Sequence, residues 1–279
     1  MKIAAVYCVY NEEDYIEYSI KSIYDFVDKI VICLGEAPYT AYNPNARQII
    51  TRKDATGRII DRLAKNDNKF HIIRGVWNSE IDHRNEGMKY CVENGFDYYL
   101  LIDADEVYRK DHLKNIAEEI NANPKVGTFI VKCAIFWRSF RYGIPANRVA
   151  WCPRRIFKIT RYRKILGIKF PYSCRFIGEN KTNSLGEVYH IPTKRAIFYH
   201  FSYAKTSESM REKLSSFSHA HEILPGWYDN VWVKWADNRK MTNIHPTNPD
   251  KFPAAEEIDL QELPDVMKTH PFYAREIIG

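Results

Sequence analysis

Tyr98-Tyr99-Leu100-Leu101-Ile102-Asp103-Ala104-Asp105 decides how this chain is read. An apolar run stops abruptly at two aspartates separated by one alanine. Five apolar residues without helical spacing predict a buried strand. A strand that finishes in carboxylates delivers them to the mouth of its sheet. Open α/β sheets bind their ligands there, outside the carboxyl ends of the strands. Asp103 and Asp105 stand too close together to act as acid and base on opposite sides of a substrate. They suit a hard divalent cation shared with phosphate oxygens. The competing reading makes Asp103 a helix cap and Asp105 a solvated loop residue.

Upstream, the same kind of strand recurs. Lys2 to Tyr10, Lys29 to Leu34, Lys69 to Arg74 and Phe96 to Ile102 are apolar runs of strand length. Helical patterns separate them. Asn11 is read as the N-cap of the first helix, with Glu12, Glu13 and Asp14 in its first turn and Ile16, Ile20, Ile23 and Val27 at helical spacing. Asp54-Ala55-Thr56-Gly57 opens the second helix. Ser79-Glu80-Ile81-Asp82 is a capping box that opens the third. Strand and helix alternating with short connections predict an α/β fold, with a mainly parallel sheet flanked by helices.

Downstream, Asp111 is expected to cap a short helix bearing Leu113, Ile116 and Ile120, and Val126 to Trp137 reads as one strand. Ala196 to Phe201 is a further strand and contains His200. Ser207 to about His221 forms an amphipathic helix. From Pro225 the chain is rich in Trp and Pro, and it reads as an ordered wrap because disordered tails are poor in aromatics. The expected division is 1–120 as a ligand-binding half, 121–223 as the second half of the same domain, and 224–279 as the wrapping extension.

Charge is segregated along the chain. The net charge is +6, yet no Asp or Glu occurs between Asn121 and Gly178, where thirteen basic residues lie. That leaves 28 of the 41 basic residues against all 35 acidic ones elsewhere. Segregation of this kind implies a polyanionic partner more strongly than a mild overall excess does. Phe136, Trp137, Phe140, Tyr142, Trp151, Phe157 and Tyr162 are interleaved with the basic residues. The six cysteines are scattered without zinc spacing, which points to a reducing, cytoplasmic compartment. No apolar run approaches the roughly 20 residues of a membrane span, and the N-terminus reads as a first strand, not a signal peptide. The first βα turn, Val9-Tyr10-Asn11-Glu12-Glu13, has no glycine, so nicotinamide and flavin binding are disfavoured. Neither a phosphate-binding P-loop nor a G-x-S-x-G nucleophile elbow is present.

Tyr7 to Glu13 with Ser19 and Ser22, then Asp54-Ala55-Thr56, Arg84-Asn85 and Ile102-Asp103-Ala104-Asp105-Glu106, resemble the family-two nucleotide-sugar glycosyltransferases in order and spacing. The match covers roughly residues 1–110. A weaker one through Trp151 to Phe157 and His200-Phe201-Ser202-Tyr203 extends it to about residue 220. The resemblance implies a GT-A fold of phage or bacterial type and a nucleotide-diphosphate sugar donor, with a UDP-sugar favoured and a hexosyl group the expected cargo. It places Tyr10, Glu12, Asp54, Thr56, Arg84 and Asp103 around the donor, with Glu36 standing where many members carry an aspartate that reads the base. Asp103 and Asp105 resemble the metal-binding pair, for Mn²⁺ or Mg²⁺, and Glu106 supports them. His200 is placed to complete the metal shell, and a satisfied core histidine is the alternative.

An inverting transferase also needs a base for the acceptor hydroxyl. The family supplies it as a carboxylate well after the metal motif, and here Glu179 and Glu187 are the first available, with Asp229 more remote. The basic stretch implies an anionic acceptor, with Arg138, Arg141, Trp151, Arg154 and Arg155 as its expected contacts. A hydroxyl of a modified base in DNA is one such acceptor, reached by base flipping. Lipopolysaccharide core or another phosphorylated saccharide is the other. A non-catalytic nucleic-acid or glycan-binding protein is the rival of another class.

Overall fold

The computed structural model describes residues 1–50, 52–149, 153–159, 165–169, 173–176, 187–217 and 219–278, with backbone alone at 165–169, 173–176 and 187. Its first half alternates strand and helix. The elements are β1 (Ile3–Val9), α1 (Ile16–Ile23), β2 (Lys29–Gly35), α2 (Ala46–Ile49), α3 (Thr56–Ala64), β3 (Phe70–Gly75), α4 (Glu80–Glu93), β4 (Tyr98–Ile102), β5 (Glu106–Tyr108) and α5 (Lys110–Ala122). The second half is strand-rich: β6 (Val126–Ile130), β7 (Lys132–Trp137), β8 (Tyr142–Ile144), β9 (Arg154–Lys158), β10 (Ile165–Lys169), β11 (Ser173–Phe176), β12 (Glu187–His190) and β13 (Ile197–Tyr203). Helix α6 (Ser207–Ser216) follows, then short turns of helix and β14 (Glu256–Glu257).

The main sheet has the order β12-β6-β9-β4-β1-β2-β3. Its β1, β2, β3 and β4 run parallel, and β12 runs parallel to β6, whereas β9 is antiparallel to both its neighbours. A mainly parallel sheet flanked by helices is therefore the architecture. All five residues of β4 are buried, as an apolar run covered on both faces should be. Helix α4 lies against β1 at Gly87, where a Cβ would stand 2.2 Å from Val6 Cγ1; only a glycine permits that approach. Ser79 caps α4, accepting from the Asp82 amide at 3.2 Å.

A second sheet, β14-β8-β7-β13-β5, grows out of the first at two crossings. Chain passes from β4 to β5 through Asp103-Ala104-Asp105, and from β6 to β7 through Val131. The strand expected over Val126 to Trp137 is thus two strands. Its first part pairs with β9 and β12, and its second part pairs with β13 and β8. Asn11 does not cap the first helix. It adopts a left-handed backbone (φ +49°) and donates from Nδ2 to Arg52 O at 2.9 Å, while the helix begins at Ile16. Asp111 lies in the first turn of α5, and no side chain caps that helix.

Residues after 224 pack over the second sheet. Trp227, Trp232 and Trp235 are buried with ring centroids 6.0, 5.6 and 6.4 Å from that of Trp137. Among the described residues, no helix is long and apolar enough to cross a membrane.

Candidate active site

Asp103, Ala104 and Asp105 form the turn at the crossing from β4 to β5, so both aspartates stand at the carboxyl end of the parallel sheet. They line a cavity of about 1240 Å³, large enough for a substrate of nucleotide-sugar size. Each carboxylate has its own set of cations. Asp103 Oδ1 accepts from Arg84 Nη2 at 2.6 Å, and its Oδ2 accepts from Arg155 Nη2 at 2.8 Å. Burial pushes the Asp103 carboxyl up, but Arg84 and Arg155 outweigh it and hold the group well below the usual carboxylate range. Arg84 is also gripped by Glu80 Oε1, at 2.6 and 2.8 Å, one helical turn away. Arg155 also donates to Glu106 Oε1. Burial, with Asp103 and Asp105 beside it, raises the Glu106 carboxyl despite that contact.

Asp105 faces another way. Its Oδ1 lies 3.2 Å from His200 Nε2, and its Oδ2 lies 3.5 Å from Lys213 Nζ and 3.8 Å from Lys205 Nζ. Burial works against ionisation here too, and Lys213 and His200 overcome it. His200 is brought in by register: it pairs with Glu106 across β13 and β5. Asp103, Glu106 and His200 present ligand atoms that all fall within 4.8 Å of one another. The two carboxylates suit Mn²⁺ or Mg²⁺ in donor type, and the imidazole favours Mn²⁺ of the two. His200 Nδ1 is buried without a hydrogen-bond partner among the described residues, so one ring nitrogen is open to a ligand. The donor set therefore fits a divalent ion, with Glu106 in the cluster itself and Asp105 turned to His200 and the two lysines.

The turn after β1 completes one wall. Glu12 Oε2 accepts from Lys205 Nζ at 2.6 Å. Asp54 and Thr56 brace that turn from behind: Thr56 Oγ1 accepts from the Glu12 amide at 2.7 Å and Asp54 Oδ2 from the Glu13 amide at 3.0 Å. Tyr10, Glu12 and Asp54 line the cavity, while Thr56 and Glu36 do not. Beyond Glu36 the wall is made by Pro38, Tyr39, Trp77 and His83. Trp77 stacks on His83 with centroids 4.0 Å apart. His83 Nε2 lies 2.7 Å from Cys33 O, a pure acceptor, so the proton sits on Nε2 and Nδ1 accepts from Tyr39 OH at 2.8 Å. Burial pulls this imidazole down to about 4, so it is neutral at pH 7.

Residues 50–186 match the family model described as glycosyl transferase family 2. This segment is that of a family-two glycosyltransferase. The matched segment carries Asp54, Arg84, Asp103, Asp105 and Arg155, while Glu12, His200, Lys205 and Lys213 come from outside it. Among solved structures, residues 1–349 of S. aureus TarS align with a TM-score of 0.45 at 16% identity, over 79% of this chain and 68% of that one. The same protein in complex with UDP-GlcNAc gives 0.45 at 15% identity, over 79% and 69%. No curated protein matches the chain.

The expected acceptor contacts of the glycosyltransferase are not gathered as the sequence suggested. Arg138 is buried in a left-handed backbone (φ +48°) and donates from Nη1 to Trp232 O at 2.7 Å, so it ties down the C-terminal segment and does not line the cavity. Arg141 also lies away from the cavity. Arg155 is there but is committed to Asp103 and Glu106, which leaves Arg154 at the wall. Trp151 and Glu179 lie outside the described residues, and of Glu187 the backbone alone is described. Sequence reading missed Lys205 and Lys213. Lys205 sits two residues past the His200-to-Tyr203 segment, and Lys213 sits on the polar side of the expected helix, where a lysine reads as solvated.

Proposed function

We propose that this glycosyltransferase moves a sugar from a nucleotide-diphosphate sugar to a hydroxyl of an anionic acceptor, with Mn²⁺ or Mg²⁺. A UDP-sugar is the favoured donor. The observation that carries the reading is the clustering of Asp103 and His200, on the wall of a cavity that also holds Tyr10, Glu12 and Arg84, with the buried Glu106 behind them. A bound divalent cation would neutralise charge on the departing diphosphate. The chain's own contribution is preorganisation. Arg84 and Arg155 fix both oxygens of Asp103 and keep it ionised. His200 orients Asp105 from the opposite side. Tyr39 and Trp77 offer aromatic surface for the base, with Trp77 backed by the buried, neutral His83.

The acceptor oxygen must lose a proton as it attacks the anomeric carbon. Glu187, which opens β12, and Glu179 are the proposed bases. An anionic acceptor is supported by Arg154 at the cavity wall and by the acid-free run around it. A modified base in DNA and a phosphorylated saccharide are the two forms proposed. A screen of nucleotide sugars with and without Mn²⁺, read as nucleoside diphosphate release, tests the donor and metal parts together. Release that survives excess chelator removes the metal, and no release from any donor removes transfer. Binding to duplex DNA that is weak and insensitive to salt removes the nucleic-acid acceptor.

A further inference from the structure

We propose that Lys213 is the phosphate-contacting cation of this site: it rests on Asp105 in the arrangement described, and it is freed for the leaving diphosphate when that carboxylate turns to a divalent cation. The proposal depends on the glycosyl-transfer reading and names the residue that links metal and donor binding.

Among the described residues, four cations surround the two aspartates, and three of them are locked. Arg84 and Arg155 are 3% and 2% exposed, held by Glu80, Asp103 and Glu106. Lys205 is 4% exposed and donates to Glu12 at 2.6 Å, with Tyr15 packed against its ammonium at 5.4 Å. Lys213 differs. It is 22% exposed, lines the cavity, and stands on α6 beside Ser209, Glu212 and Ser216, which line it too. Its ammonium has three N–H groups, and they meet Ser202 Oγ at 2.6 Å, Ser202 O at 3.1 Å and Asp105 Oδ2 at 3.5 Å. The two short bonds anchor the group at the cavity wall. The long one to Asp105 is the weak member, and it is the one that a change at that carboxylate would release. A lysine on a four-carbon stem can reaim one N–H without moving its helix.

Opposite effects on two ligands follow. A positive charge 3.5 Å from Asp105 opposes any cation that uses this carboxylate, and the same charge attracts a diphosphate. Removing it should therefore strengthen metal binding and weaken nucleotide binding. A merely structural role for Lys213 would weaken both.

The test uses the full chain with Lys213→Met, which keeps the stem, and Lys213→Gln as a second variant should the first fold poorly. Free Mn²⁺ is followed by electron paramagnetic resonance without nucleotide, and UDP binding by calorimetry at saturating Mn²⁺. The expected result is Mn²⁺ binding tighter by about fivefold or more and UDP binding weaker by roughly tenfold, with Lys213→Arg close to wild type for UDP. Unchanged or weaker Mn²⁺ binding in the neutral variants overturns the proposal, and so does unchanged UDP affinity. If the wild type binds Mn²⁺ and UDP but the variants show no opposition, the role of Lys213 alone fails. A wild type that binds neither takes the glycosyl-transfer reading down with it.

Discussion

Lys205 Nζ donates to Glu12 Oε2 at 2.6 Å, joining residues 193 positions apart in the chain. Both are largely shielded from solvent, and Asp105 stands 3.8 Å from the same ammonium. Burial raises the Glu12 carboxyl, and Lys205 works against that rise. Breaking a buried pair by removing one partner leaves an uncompensated charge, at a cost of about 3–5 kcal/mol. Lys205→Met should lower unfolding stability by that order in urea. Lys205→Met with Glu12→Gln should recover part of it, because the stranded carboxylate is gone. Strict additivity of the two changes would show that the ion pair is energetically idle.

Asp103→Asn and Asp105→Asn should each abolish transfer, with nucleoside diphosphate release down by about a hundredfold or more. They should differ in stability. Asp103 serves two guanidiniums that are almost fully buried, so its neutralisation destabilises the fold, whereas Asp105 also has the partly exposed Lys213 as partner. Thermal melts of the two variants, with activity measured beside them, check this. Full activity in both would remove the aspartates from the mechanism.

Stability should fall as pH drops from about 6.5 toward 4. Burial pulls His83 and His270 down to about 4 and His245 to about 3. Each has its ordinary value, near 6.5, in the unfolded chain. The unfolded state therefore binds protons first on acidification. The stabilising contribution is complete above about pH 6.5 and is lost as pH falls through the folded values. For His83 it amounts to roughly 3 kcal/mol. His83→Gln should flatten the slope of urea midpoint against pH in that window. Asp103 and Asp105, held below the usual range, contribute their own loss at lower pH.

Arg138→Leu should loosen the C-terminal segment. Arg138 donates to the Trp232 and Val233 carbonyls at 2.7 and 3.2 Å, and its own carbonyl accepts from the Ile278 amide at 2.7 Å. Charge-assisted bonds to carbonyls are worth about 1.5–3 kcal/mol. Limited proteolysis should cut between 225 and 278 sooner than in the wild type, with the body of the chain retained. Equal cleavage rates would mean that the tryptophan cluster around Trp137 holds the segment unaided.

The sequence by itself determined the parallel sheet, because apolar runs of strand length alternate with helical periods, and both signals are local. It also placed Asp103 and Asp105 at the end of β4, since an apolar strand that stops at carboxylates can present them only at the sheet's rim. Ser79 as a cap was legible for the same reason. What only the tertiary structure decided are the partners of those carboxylates. Arg155 reads as one more residue of a basic run, and it becomes the buried counter-ion of Asp103 and Glu106 because β9 inserts antiparallel beside β4. Arg138 looks the same in sequence and is spent on the Trp232 carbonyl. Lys205 and Lys213 reach Asp105 across more than 95 positions, through the register of β13 on β5 and the helix that follows. A charged side chain is assigned to solvent or to a site by what folds against it, and that depends on strand order and pairing, which local pattern does not encode.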